Sequence, residues 1–215
     1  MSNSLFNRPG KTRSNDHVRG LKSSSAGFSL VEVLISIVIL TFGLLGMVGM
    51  QAAALHANRE AKLQSAGIVF ARELADMIRG NKTVGVLTTN NPYLGSFSTP
   101  LAATTPLYCL NVASSSGCST TADIADAEMT EWLARVDAEL PGARVVSCFD
   151  SAPFDANGLP QWGCTNGAGA VVVIKIGWTS GATDKSLTGA AALRRAADVG
   201  STPGVVLPVT AGNAV

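Results

Sequence analysis

The chain has 215 residues, a length that suits one or two domains. Only 14% of the residues are charged and 47% are hydrophobic, with a mean hydropathy of +0.28, which is little charge for a wholly soluble protein. The net charge is +1 and no Lys/Arg cluster follows residue 27, so a nucleic-acid-binding footprint is excluded. GxGxxG and GxxxxGKS/T are absent, and two histidines support neither a Ser-His-Asp set nor a metal cluster. No catalytic, cofactor-binding or metal-binding residue is therefore expected, and the chain does not read as an enzyme.

Residues 1–27 are polar, without apolar periodicity, and carry Arg8, Lys11, Arg13, Arg19 and Lys22 against Asp16, a net of +4. They read as a disordered leader that is removed. The remainder holds 11 basic and 14 acidic residues, a net of −3. A basic segment ahead of an apolar one stays on the cytoplasmic side, which sends the bulk of the chain outward. Residues 33–50 are eighteen positions without a charge. At ~1.5 Å per residue they cross most of a ~30 Å hydrocarbon core. Glu32 stands at the entrance, with Phe28, Leu30 and Val31 already apolar before it. An ionised acid inside a bilayer costs roughly 2.5–3.5 kcal/mol, so one placed here calls for a partner.

The stretch Gly27-Phe28-Ser29-Leu30-Val31-Glu32 resembles the type IV prepilin signature of pilins and secretion pseudopilins. That signature joins a basic leader, a Gly before the scissile bond, a Phe or Met after it, and Glu four residues on. The resemblance implies cleavage between Gly27 and Phe28 and N-methylation of Phe28, both by a membrane prepilin peptidase. A plain membrane anchor explains the apolar run but neither Glu32 nor the Gly-Phe junction. A secretory signal cut after Ala52-Ala53-Ala54 would need an unusually long apolar region and a very long basic one.

From Phe28 to about Arg79 the sequence predicts one helix, free of proline and rich in Leu, Ala, Met, Glu and Arg. It is apolar all round up to Gln51 and amphipathic beyond. Leu55, Leu63, Phe70, Leu74, Met77 and Ile78, with Ala52, Ala66 and Gly67, fall on the expected buried face. Gly80-Asn81 supplies a stop. Gly43, Gly46 and Gly49 interrupt the apolar half. They suit close packing through small residues, or local unwinding when a subunit leaves the bilayer, and Thr41 can back-bond to the helix in either case. His56, alone on its helix, reads as a surface or packing residue.

Residues 80–120 read as a long irregular connection in which residues 84–87 and 106–112 pair briefly as strands, with a turn at Ser114-Ser115-Ser116-Gly117. Thr121 to Leu140 is the second predicted helix, capped by Thr120 or Thr121 and ended by Leu140-Pro141-Gly142. Its buried stripe is Ala125, Met129, Trp132, Leu133, Val136 and Leu140. Asp126, Glu128, Glu131, Asp137 and Glu139 are expected on its solvated side. The period then changes to two. Residues 144–149 and 170–178 are predicted strands, joined as an antiparallel hairpin with a long loop. Residues 190–198 look helical by composition, residues 204–209 read as an edge strand because of Pro208, and the last five residues look frayed.

Cys109, Cys118, Cys148 and Cys164 all follow the apolar run, and an even count in an exported segment reads as two disulfides. Of three pairings, Cys109–Cys118 and Cys148–Cys164 are favoured because each closes a short loop rich in Ser, Gly or Asn. A metal site is disfavoured, since CxxC is absent and His17 and His56 lie far away.

The order of blocks also resembles the PilV family, the minor pilins called type IV pilus modification proteins. Gly27 to Ile35 is similar to it, as are Ala71-Arg72-Glu73-Leu74-Ala75-Asp76-Met77-Ile78-Arg79-Gly80-Asn81, Cys118 with the helix bearing Trp132, Leu140-Pro141-Gly142, and Val173-Ile174-Lys175-Ile176-Gly177-Trp178. The resemblance covers about residues 26–180, and the tail after Thr179 departs from it. It implies an α+β, pilin-like fold: a long N-terminal helix, membrane-spanning in its first half and amphipathic in its second, packed on a small antiparallel β-sheet domain. The expected division is a cleaved basic prepilin leader at 1–27, a transmembrane and filament-core helix half at 28–51, an amphipathic half at 52–80, and an exported domain with two disulfides at 81–215. The implied partners are prepilin peptidase, other minor pilins, the major pilin and the inner membrane, with Glu32 forming an assembly salt bridge and no nucleic acid involved. The implied location is the inner membrane, single-pass with the C-terminal domain in the periplasm, and then the pilus. A type II secretion pseudopilin or a membrane-anchored adhesin, using the Ser/Thr/Asn-rich residues 80–120, are the alternatives.

Overall fold

The structure, a computed structural model, describes residues 27–113, 116–182, 184 and 186–212. The leader up to residue 26, Ser114-Ser115 of the expected turn and residues 213–215 of the expected frayed end lie outside the described residues. The first helix, α1 (Leu30–Gly80), holds the boundary between two compact units, which falls at Met50/Gln51. In the first unit every side chain from residue 27 to Met50 is exposed. Ser36 Oγ donates to the Glu32 carbonyl at 2.7 Å and Thr41 Oγ1 to the Val38 carbonyl at 2.8 Å, so these hydroxyls satisfy themselves on the helix backbone.

The second unit is built on residues 51–80 of α1. Its buried face is Gly67, Phe70, Ala71, Leu74, Ala75 and Ile78, recurring at three and four residues. Leu63 and Ala66 are half-buried, whereas Leu55, expected on this face, is 70% exposed. Gly80 ends the helix and a short helix, α2 (Lys82–Gly85), follows it. Residues 84–87 thus form no strand. The Asn81 carbonyl accepts from the backbone N–H of Val84 and Gly85, and a Cβ on Gly85 would stand 2.5 Å from the Ile78 carbonyl oxygen. The apparent alternation around Gly85 records a close backbone contact instead.

The connection contains one strand that composition does not advertise, β1 (Gly95–Ser98), in which Phe97 alone is buried. Residues 106–112 do not pair. They run beside the next helix, α3 (Thr121–Glu139), where the Leu107 N–H donates to Thr130 Oγ1 at 3.1 Å. A capping box starts α3: Thr120 Oγ1 accepts from the Asp123 N–H at 3.0 Å, and the Asp123 carboxylate accepts from the Thr120 N–H at 2.8 Å. The expected stripe from Ala125 to Leu140 is fully buried. The carboxylates on the other side are not merely solvated. Asp126 accepts from the Thr105 hydroxyl, Glu128 from the Tyr93 hydroxyl, and Asp137 from Thr99 Oγ1 and the Leu101 N–H, so three of them hold the connection against α3.

The remaining strands are β2 (Arg144–Asp150), β3 (Val171–Gly177), β4 (Ser180–Gly181), β5 (Leu193–Arg194) and β6 (Val205–Val209). The main sheet has the order β1-β2-β3-β6, antiparallel throughout, and β4 pairs with β5 as a separate ribbon. β6 takes the edge position that Pro208 permits. Residues 190–198 are not an α-helix. A 3₁₀ turn at Gly189–Ala192 gives way to β5, because Gly189 (φ +61°) breaks the start and the Ala182 N–H binds the Ala192 carbonyl. Helix propensity of an alanine-rich window yields here to pairing.

Val145 and Phe149 of β2 and Val172, Ile174 and Ile176 of β3 turn towards one core with α1 and α3. Phe70 and Trp132 meet edge to face at 6.2 Å, and Trp132 Nε1 donates to the Phe70 carbonyl. Each fully buried large apolar side chain contributes about 1.5–3 kcal/mol relative to exposure. Trp178 closes the core between two glycines: a Cβ on Gly67 would sit 2.7 Å from its ring and one on Gly204 2.9 Å. Replacing Gly67 with alanine is expected to destabilise the domain. Overpacking costs about 1–3 kcal/mol, more than the ~1 kcal/mol that alanine gains over glycine in a helix. Urea unfolding of the detergent-solubilised chain, followed by tryptophan fluorescence, checks the sign.

Candidate functional site

The N-terminal site is built from the first turn of α1. Gly27, Phe28 and Ser29 lie outside the helix, and the Ser29 carbonyl accepts from the backbone N–H of Glu32 at 3.0 Å and of Val33 at 3.2 Å. The Gly27-Phe28 peptide bond therefore precedes the first helical residue. Phe28 is 83% exposed. Glu32 sits in the first helical turn, where a carboxylate suits the positive end of the helix dipole. Among the described residues, no ion pair involves it. α1 is long and apolar enough to cross a membrane, with a window of mean hydropathy 2.5.

The second unit holds the two disulfides, Cys109–Cys118 and Cys148–Cys164. The first closes a loop beside the start of α3, where Cys109 is buried. The second ties the loop after β2 over the sheet face opposite the core. On that face lies a feature not anticipated from the sequence, an ion pair between Lys175 and Asp150. Nζ stands 2.6 Å from Oδ2, and both side chains are fully buried. Lys175 also donates to the Gly163 carbonyl, adjacent to Cys164, and Asp150 Oδ1 accepts from the N–H groups of Ala152 and Thr165. Burial pushes the Asp150 carboxyl up, but the Lys175 hydrogen bond, the two backbone donors and the lysine charge outweigh it and hold the group below its ordinary range. The signal was a lysine between Ile174 and Ile176 in an otherwise apolar strand, which demands a buried counter-charge.

Trp162 completes this cover. Arg144 stacks on its ring at 4.4 Å, Gly177 gives it room, and its Nε1 donates to Ser201 Oγ at 3.1 Å. Elsewhere, burial and then the Glu128 hydrogen bond and charge push the Tyr93 hydroxyl up, so it acts as a donor at all physiological pH. His56 is exposed, and among the described residues no group of His, Cys, Asp and Glu is arranged to hold a metal ion.

Residues 22–48 match the prokaryotic N-terminal methylation motif. No curated protein and no solved structure matches the chain. The motif indicates a pilin-like protein processed by a prepilin peptidase, and with the apolar half of α1 it fits anchoring in the inner membrane.

Because the folded Asp150 carboxyl lies below the usual value near ~3.9, the unfolded chain takes up the proton first as the pH falls. The stability supplied by the pair is full above that value and is lost as the pH drops through the folded one. Replacing Asp150 with asparagine leaves Lys175 buried without a counter-ion, at a cost of about 3–5 kcal/mol near neutral pH. The gap in unfolding free energy between the two proteins should stay constant from about pH 7 to 5 and narrow below about pH 4, read by denaturant titration across that range.

Proposed function

We propose that the chain is a minor pilin of the PilV type, which joins other minor pilins in the inner membrane and primes assembly of a type IV pilus at its tip. Prepilin peptidase cuts between Gly27 and Phe28 and methylates the new amine. On this reading residues 1–27 are the leader, 28–51 the filament-core half of the helix and 52–80 its amphipathic half. Residues 81–215 are the part exported to the periplasm and later carried on the pilus. The role is structural, and the chain catalyses nothing.

Glu32 is the observation that carries the reading. It is a carboxylate without a cation among the described residues, at the head of a helix exposed on every side to Met50. Left unpaired in a bilayer it costs roughly 2.5–3.5 kcal/mol. The methylated amine of Phe28 stays positive, and the amine of a neighbouring subunit can neutralise Glu32. Pairing of this kind favours one axial stagger between helices, which then bury their apolar surfaces against one another instead of lipid. The match over residues 22–48 supports the processing step. The disulfide-closed loops and the sequence blocks after residue 71 favour PilV over a type II secretion pseudopilin.

Intact-mass analysis of the protein purified from its native host should give a chain that begins at Phe28, is heavier by one methyl group, and lacks the four thiol hydrogens. The Glu32→Gln variant should be cleaved normally yet enter pili at least about tenfold less, corresponding to ~1.4 kcal/mol or more of lost pairing. A purified chain that starts upstream of Phe28, or wild-type incorporation of the Glu32→Gln variant, would overturn the proposal.

A further inference from the structure

The main sheet has two edges, and only one of them presents a full set of outward hydrogen-bonding groups. At β6, the Gly204 N–H donates to the Ile176 carbonyl at 2.9 Å, and Val205, Leu207 and Val209 stand opposite Ile176, Ile174 and Val172. Backbone polar groups alternate in direction along a strand, so those three residues turn theirs towards β3 while Val206 and Pro208 face outward. Pro208 has no N–H to offer. At the other edge, the Thr99 N–H donates to the Ala143 carbonyl at 3.0 Å, and Gly95 and Phe97 stand opposite Ser147 and Val145. The same alternation turns the N–H and C=O of Ser96 and Ser98 away from the sheet. Among the described residues none of these four groups has a hydrogen-bond partner, and both serines are exposed. Natural edge strands are blunted by shortness, charge or proline. β6 carries proline; β1 is four residues long but has neither charge nor proline within it.

We infer that β1 receives an extended segment from a different subunit, which becomes the fifth strand of the sheet. Two outward N–H and two outward C=O groups, repeating roughly every 6.6 Å, match the backbone of an extended polypeptide. A second copy extending the sheet in series would meet the β6 edge, where Pro208 leaves one of the four hydrogen-bonding groups missing. Two copies joined through β1 alone would close into a twofold pair, which leaves no route to a filament. Each molecule therefore takes one donated strand. The inference rests on the pilin-type reading, which supplies neighbouring subunits.

Photocrosslinking in the native host tests it. The full-length chain carries a benzophenone side chain in place of Ser96, Ser98 or, as the control edge, Val206. Adducts are identified by mass spectrometry, and the N-terminus is read in the same sample. The expected result is adducts from Ser96 and Ser98 with another subunit bearing the N-terminal methylation motif, at least about tenfold more abundant than from Val206. Adducts solely with a second copy, equal yields from Val206, or no adduct from β1 in a chain that begins at Phe28 and is present in pili would overturn the inference. A chain still beginning upstream of Phe28 overturns the pilin-type reading beneath it instead.

Discussion

The helix that carries residues 30–50 exposes apolar side chains on all sides, and that surface cannot be left in water. The apolar side chains exposed from Phe28 to Met50 include four phenylalanine or methionine residues besides the leucines, isoleucines and valines. At roughly 25 cal/mol per Å² the hydrophobic penalty of such a surface exceeds the whole net stability of an ordinary domain. Lipid satisfies it, and so do other helices of the same kind. Neither solvent satisfies Glu32 by itself. On the proposed reading, pairing at this carboxylate gives a preferred register to a greasy surface that otherwise has none.

Beyond residue 51 the same helix obeys a different constraint. Only one face is apolar, and its small residues matter as much as its large ones. Gly67 admits Trp178, and Ala71 and Ala75 are almost wholly buried. Trp132 on α3 reaches across to donate to the Phe70 carbonyl, and Arg135 holds Glu73 through two hydrogen bonds near the surface. The buried contacts contribute most of the energy. The exposed Arg135–Glu73 pair is worth at most about 1 kcal/mol.

Much of this architecture was legible because each element rests on a local rule. The long helix follows from the absence of proline and the change from all-round to one-sided apolarity at Gln51. α3 follows from its cap and stripe, and β2, β3 and β6 from alternation and the position of Pro208. What sequence could not supply depends on distant partners. β1 contains two serines and a glycine and exists because Gly95 and Phe97 find Ser147 and Val145 more than forty residues on. The alanine-rich residues 190–198 carry helix propensity, yet their glycine neighbours and the pairing with β4 decide against it. The N-terminal motif was readable for the opposite reason: a peptidase reads it locally, so its information lies in consecutive residues.

The sheet's two faces are covered by different means, and this bears on how the domain keeps its shape. One face lies on α1 and α3, with hydrophobic burial as the glue. The other lies under an irregular loop that has little apolar surface of its own, so it is held by a disulfide, an ion pair and a stacked tryptophan. A buried ion pair contributes little net stability over a well-packed apolar pair. Its effect is on alternatives: any register that moved Lys175 off Asp150 and the Gly163 carbonyl would strand a charge in the interior. The Cys148–Cys164 bridge keeps Gly163 within reach of that lysine, so covalent and electrostatic restraints act on the same loop. With both faces occupied, the edges are what the sheet has left for meeting other chains, and Pro208 has removed a donor from one of them.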